Sequence, residues 1–310
     1  MKKMIKENRP FPKIFTKRIN ALKTQRRCII FFFLIFPLLF LCVFGYYPAL
    51  KLVHMSFTDW DGFRPYYSYV GVENYIAILR DPDTLKTLQN NIAYFIVMLV
   101  QTVLALYFAI ILDGKLKGRN FFKTVIFMPY ILNGVAVAFM FSYLYDYTDG
   151  PINVLLHSIG LGDYAIRFLS DSYFINFSLA GIGMWRYTGF AMVIFLGALQ
   201  TISKDLYEAA YIDGAHFFQT VRYITIPNIK RTIEINLLLG ISGALQAFFE
   251  PFVITKGGPA GRSETFITWM LKMAFEFQNF GQAAAMSVLL LSIIMGIILI
   301  QKKFLKTGGM

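Results

Sequence analysis

The sequence predicts an all-α integral membrane protein with six transmembrane helices, and three observations predict it. Of its 310 residues, 56% are apolar and only 15% are charged, against the roughly 25% charge of a soluble domain. Apolar runs with few or no charges recur along the chain, each near the ~20 residues that cross a bilayer as a helix. The basic residues between those runs alternate by loop, so the net charge of +12 reads as membrane orientation rather than as a nucleic-acid site.

In chain order, residues 1–27 carry ten Lys or Arg against one acid, Glu7. This basic segment is expected to be cytoplasmic, and residues 28–310 to form one transmembrane domain. The first span covers residues 28–50, which hold no charge and exceed the apolar core of a signal peptide. Cys28 and Cys42 share this helix, so a disulfide between them is geometrically excluded. Residues 51–90 form an outside loop, 92–112 the second span, and a short loop with Lys115, Lys117, Arg119 and Lys123 returns the chain to the cytoplasm. The third span, 124–145, contains Pro129 and Asn133. An outside loop that is acidic on balance leads to the fourth, 173–202, interrupted by Arg186. The fifth is 235–255 and the sixth falls within 277–301. By this reading 21 Lys or Arg lie inside and eight outside, with Arg186 in a span, which places both termini in the cytoplasm.

Several chemistries are excluded. His54, His157 and His216 sit in different loops with no metal-ligand spacing, and no catalytic constellation is evident. No G-x-x-x-x-G-K-[ST] phosphate loop is present, so energy from ATP would enter through a partner.

The polar loop 203–230 separates the fourth and fifth spans, and residues 206–227 read LYEAAYIDGAHFFQTVRYITIP. Asp205 with Glu208 three residues later has the capping-box pattern, which predicts a short helix from Leu206. Gly214 should end it, and a second helix from Ala215 to about Tyr223 should stop before Pro227. Two helices about a glycine turn make a compact knob, and the paired Ala209 and Ala210 leave room for a partner surface.

The order Glu208-Ala209-Ala210, Gly214, Ile224 and Pro227 resembles the signature of the membrane subunits of binding-protein-dependent ABC importers, with Ile226 where that family more often has leucine. The segments SFTDWDGF (56–63), YVGVENY (69–75) and TKGGPAGRSET (255–265) resemble those of carbohydrate permeases of the maltose and multiple-sugar type. The resemblance implies a type I ABC importer permease fold, with the loop 203–230 as a coupling helix docking into a cytoplasmic ATPase dimer through those six residues. It also implies a second, related permease chain and an extracytoplasmic sugar-binding protein. ATP and Mg would be bound by the ATPase and no cofactor by this chain, in the plasma membrane of a bacterium. A permease for a non-sugar solute, or a secondary transporter, is the alternative.

Arg186 and Glu250 are the charges deep in spans, each costing on the order of 2.5 to 3.5 kcal/mol on insertion scales unless it faces a partner or watery cavity. On a continuous fifth helix, Ser242, Gln246 and Glu250 recur every four residues with Phe249 adjoining. The sugar path is therefore expected along Asn133, Trp185, Arg186, Gln246, Phe249 and Glu250. An ion pair between Arg186 and Glu250 that merely joins two spans is the competing account.

Overall fold

Lipid offers no hydrogen-bond partners, so apolar runs that enter it must satisfy their backbone internally as helices. The computed structural model describes residues 13–114 and 116–307, and apart from one isolated bridge between Thr58 and Tyr69 its regular structure there is helical. Residues 1–12 of the basic segment and Lys115 of the basic loop lie outside the described residues. The chain divides into two units, Met1–His54 and Met55–Met310.

Among the described residues the first unit is one helical stretch. Helix α1 (Lys13–Phe40) passes through a π-helical segment (Leu41–Tyr46) into α2 (Tyr47–Met55). The π segment falls between Pro37 and Pro48, whose missing N–H donors interrupt the regular ladder. Cys28 and Cys42 are free and exposed.

In the second unit, α3 (Glu73–Arg80) and α4 (Pro82–Asp113) are followed by α5 (Arg119–Ile131) and α6 (Gly134–Leu144). Next come α7 (Pro151–Ser158), α8 (Ile175–Leu199), α9 (Lys204–Ile212), α10 (Phe217–Thr220) and α11 (Ile226–Asn228). Then α12 (Lys230–Leu245), α13 (Phe266–Phe275) and α14 (Phe280–Thr307) complete it. Among the described residues four helical stretches are long and apolar enough to cross a membrane, Gln25–Met55, Pro82–Asp113, Ile175–Leu199 and Phe280–Lys303. A fifth is obtained if α5 and α6 count as one bent span.

Helices α4 and α8 form the centre. Ala105 and Ala109, one turn apart on α4, are fully buried against Met192 and Phe195 of α8, because small residues let two backbones approach where packing must replace the hydrophobic effect. A second cluster joins Tyr94 and Met98 to Ile175, Leu179 and Ile241, and a third packs Ile78 and Phe266 on Met286 and Leu290 of α14. The SFTDWDGF and YVGVENY segments fold together: Asn74 Nδ2 donates to the Ser56 and Thr58 carbonyls at 2.9 and 2.8 Å. They rest on the start of α14, where the Gly281 N–H donates to the Trp60 carbonyl at 2.9 Å.

Four expectations are corrected. The third span is not one helix, because α5 and α6 meet at 97°: Pro129 weakens the end of α5, and Asn133 caps α6 by accepting from the Val135 and Ala136 N–H groups at 2.9 and 3.3 Å. The stretch read as a fifth span through Thr255 is helical only to Leu245, opens at 246–248, and resumes as a π turn (Pro251–Thr255). Ser203, not Asp205, caps α9, accepting from the Asp205 N–H at 3.3 Å. A capping box exists, but at His216 with Gln219, and helical geometry continues through Pro227 because Pro occupies the first turn of α11, where its missing donor is harmless.

Candidate functional site

Helices α4, α8 and α12, with the broken segment after α12, enclose a cavity of about 510 Å³. Its wall includes Tyr94 and Gln101 from α4, Tyr187 from α8, and Gln246, Phe249 and Glu250 from the break. Glu250 is the one charged residue in that wall. Polar groups beside aromatic rings on a concave surface suit a ligand with both hydrogen-bonding edges and apolar faces.

The break brings Gln246, Phe249 and Glu250 to the cavity, and its free carbonyls are met from elsewhere. The Asn91 side chain, 2% exposed, donates to the carbonyls of Ala244 and Leu245 at 2.8 and 3.3 Å and accepts the Phe266 N–H at 3.0 Å. Thr265 Oγ1 donates to the Ala247 carbonyl at 2.6 Å. Irregular backbone is tolerated at membrane depth where protein satisfies it and it borders a cavity. The four-residue spacing from Ser242 to Glu250 therefore does not continue as one helical stripe.

Arg186, Trp185 and Asn133 are absent from the wall. The Arg186 guanidinium lies 5.3 Å from the Tyr187 ring centroid and 5.8 Å from that of Phe249. Its Nη2 donates to the Leu132 carbonyl at 3.5 Å, a group that the bend after α5 leaves free. A cation there faces the negative end of α5 and two aromatic faces. Arg186 and Glu250 make no ion pair among the described residues. The ion-pair account of the two charges is thereby corrected. Trp185 packs edge-on against Phe141 at 5.3 Å, and Asn133 shapes the bend. Gly134 permits the approach of α6, since a Cβ there would come within 2.9 Å of the Phe249 ring.

Sequence reasoning missed Tyr94, Gln101 and Asn91. The signal was present: Tyr94, Met98, Gln101 and Thr102 share one face of the second span at helical spacing, in a stretch where buried polarity is costly.

The GGP segment packs against this break, where Thr265 meets the Ala247 carbonyl. Glu264, 2% exposed, pairs with Lys272 and accepts from the Thr268 hydroxyl at 2.5 Å. Asn90 Nδ2 donates to the Glu264 carbonyl at 2.8 Å, and Asn176 Nδ2 to the Arg262 carbonyl at 3.0 Å. The segment is thus tied to both α4 and α8.

At the opposite end of the sequence's polar pattern, α9 to α11 form the knob. Gly214 has φ +76° and turns the chain where a side chain would be strained. Tyr207 and Thr225 meet through their hydroxyls at 3.3 Å beneath it, and Ala210 is 8% exposed. Tyr211 and Ile212 are 83% and 84% exposed, with Phe217 and Phe218 also outward. Glu208, Ala209, Gly214 and Pro227 are exposed, while Ile224 is half-buried at the edge of a notch of about 340 Å³ that Gly214 also lines.

Apolar helices around a cavity whose largely apolar wall carries a few polar groups, with an exposed helical knob on one loop, define a multi-pass membrane transport subunit. Residues 101–304 match the family described as binding-protein-dependent transport system inner membrane component, and the chain belongs to that family. It is 33% identical to the probable ABC transporter permease protein YurN of Bacillus subtilis, over 92% of this chain and 98% of that one. It is 31% identical to the diacetylchitobiose uptake system permease protein NgcF of Streptomyces coelicolor, over 84% of this chain and 78% of that one. Its fold matches a chain of a bacterial ABC transporter that imports the acidic polysaccharide alginate, with a TM-score of 0.81 at 20% identity, covering 94% of this chain and 99% of that one.

Proposed function

We propose that this chain is a permease subunit of an ATP-driven carbohydrate importer of the bacterial plasma membrane, with both termini cytoplasmic. The relative named for diacetylchitobiose uptake and a cavity that combines Gln101, Gln246 and Glu250 with the Tyr187 and Phe249 rings support a sugar. A binding protein delivers it from outside, and a second permease completes the pathway. Glu208, Ala209, Ala210, Gly214, Ile224 and Pro227 form the knob that couples to an ATPase dimer, which holds ATP and Mg. Gln246, Phe249 and Glu250 line the path, and Arg186, Trp185 and Asn133 support it from behind.

The observation that carries the coupling role is the exposure of Tyr211, Ile212, Phe217 and Phe218 on the two short helices of the knob, apolar surface of the kind that marks an interaction site. Ala209→Trp enlarges an exposed position on α9 without entering its packing, whereas Ala210 is buried. In the assembled importer, Ala209→Trp is expected to abolish sugar-stimulated ATP hydrolysis and uptake while the chain stays in the membrane. Normal stimulation would show that the knob lies on lipid and not on an ATPase.

A further inference from the structure

The cavity holds a buried polar atom that nothing among the described residues satisfies. Tyr94 is 7% exposed, lines the cavity, and its hydroxyl has no hydrogen-bond partner. An unpartnered buried hydroxyl is costly unless a ligand or water completes it. Glu250 lies in the same wall. A carboxylate accepts hydrogen bonds and donates none, and a phenol does either. The matching ligand edge is therefore rich in O–H or N–H donors.

The positive charge nearby does not reverse this. Arg186 is held against the Phe249 ring, with its Nη2 directed to the Leu132 carbonyl, and it contributes no surface to the cavity. A ligand carboxylate entering the cavity would meet the Glu250 carboxylate in a medium of low dielectric, where like charges a few ångströms apart repel strongly.

We infer that Glu250 and Tyr94 make this cavity selective for sugars that carry hydroxyl or amino donors and no carboxylate, so that uronate-bearing saccharides are rejected at the permease itself. This rests on the reading of the cavity as a sugar path. The alginate importer acts on an acidic polysaccharide, but likeness at that identity extends to the fold and carries no ligand across.

The test uses the complete importer, permease pair with ATPase, in lipid nanodiscs without binding protein, so that only the permease cavity selects. Binding of maltose, the glucosamine disaccharide and digalacturonate is measured by calorimetry. The native complex is expected to bind maltose or the glucosamine disaccharide at least ~10-fold more tightly than digalacturonate, the ratio for about 1.4 kcal/mol. Glu250→Gln should narrow that ratio severalfold. Tyr94→Phe should weaken the preferred sugar about 5-fold, as for one lost hydrogen bond, and leave the ratio intact. Digalacturonate binding as tightly as maltose to the native complex would overturn the inference and leave the sugar path standing. If none of the three binds, the sugar reading falls with it. Should Glu250→Gln fail to assemble, the native ratio and Tyr94→Phe decide.

Discussion

Asn91 on α4 holds open the helical break after α12 by donating its side-chain amide to the Ala244 carbonyl at 2.8 Å, across 153 positions of sequence. The same side chain accepts from the Phe266 N–H at 3.0 Å, so one residue joins the second span, the cavity floor and the start of α13. Replacing it by alanine leaves two carbonyls and an N–H unpaired in a buried setting, at a cost on the order of 1–3 kcal/mol for each group left unsatisfied. Asn91→Ala is expected to lower the thermal unfolding midpoint of the purified importer and to weaken sugar binding. An unchanged midpoint would show that the break is stable without this bridge.

Helix α8 touches α5 through backbone. A Cβ on Gly189 would collide with the Ile126 carbonyl and the Phe127 Cα, atoms that cannot move without shifting the helix. Gly189→Ala should therefore destabilise the bundle by roughly 1–3 kcal/mol, as overpacking does. Gly197→Ala on the same helix, where a Cβ meets nothing within 4 Å, is the control and should be neutral or better. Equal midpoints for the two variants would refute the close crossing.

Long apolar runs with few or no charges made the helices α1, α4, α8 and α14 legible, because bilayer thickness sets their length directly. The 97° bend between α5 and α6 and the opening after Leu245 were not legible, because each depends on distant partners. Asn133 reads as one polar residue in an apolar run until its cap is seen, and nothing local in LQAFFE announces that Asn91 and Thr265 will donate to its Leu245 and Ala247 carbonyls. The same holds for the candidate site. Glu250 stood out by its charge, whereas for Tyr94 the helical spacing gives only a face, and the lack of a partner for its hydroxyl among the described residues shows only in the fold.

Asp81 caps the N-terminus of α4, in the loop outside the spans. Partial burial pushes its carboxyl upward, but the Thr84 hydroxyl at 2.6 Å and the N–H groups of Thr84 and Asp83 outweigh that and hold it below the ordinary value of 3.8. The folded-state value is thus depressed, so the cap's stabilisation is complete above pH 3.8 and is lost as pH falls through the lower folded value. Asp81→Asn retains a capping oxygen but has nothing to titrate. Unfolding midpoints measured from pH 6 down to about 3 should fall more steeply for the native chain than for Asp81→Asn. Parallel curves would mean that the carboxylate contributes nothing beyond its shape.

Gly257 and Glu264 depend on each other within the GGP segment. Gly257 has φ +79°, and a Cβ there would run into the Glu264 carboxyl group, which is fixed from its other side by Lys272 and Thr268. Gly257→Ala therefore combines left-handed backbone strain of about 1–2 kcal/mol with a steric conflict that the buried carboxylate cannot relieve by rotating into solvent. Glu264→Ala alone removes the partner of Lys272 and should also destabilise. In the double variant the collision has disappeared, so its loss is expected to be smaller than the sum of the two single losses by more than the ~0.5 kcal/mol scatter of independent sites. Chemical or thermal unfolding of all four proteins measures that coupling. Strict additivity would mean that backbone conformation alone demands glycine at 257, and that the packing of Glu264 against it is incidental to the fold of this segment.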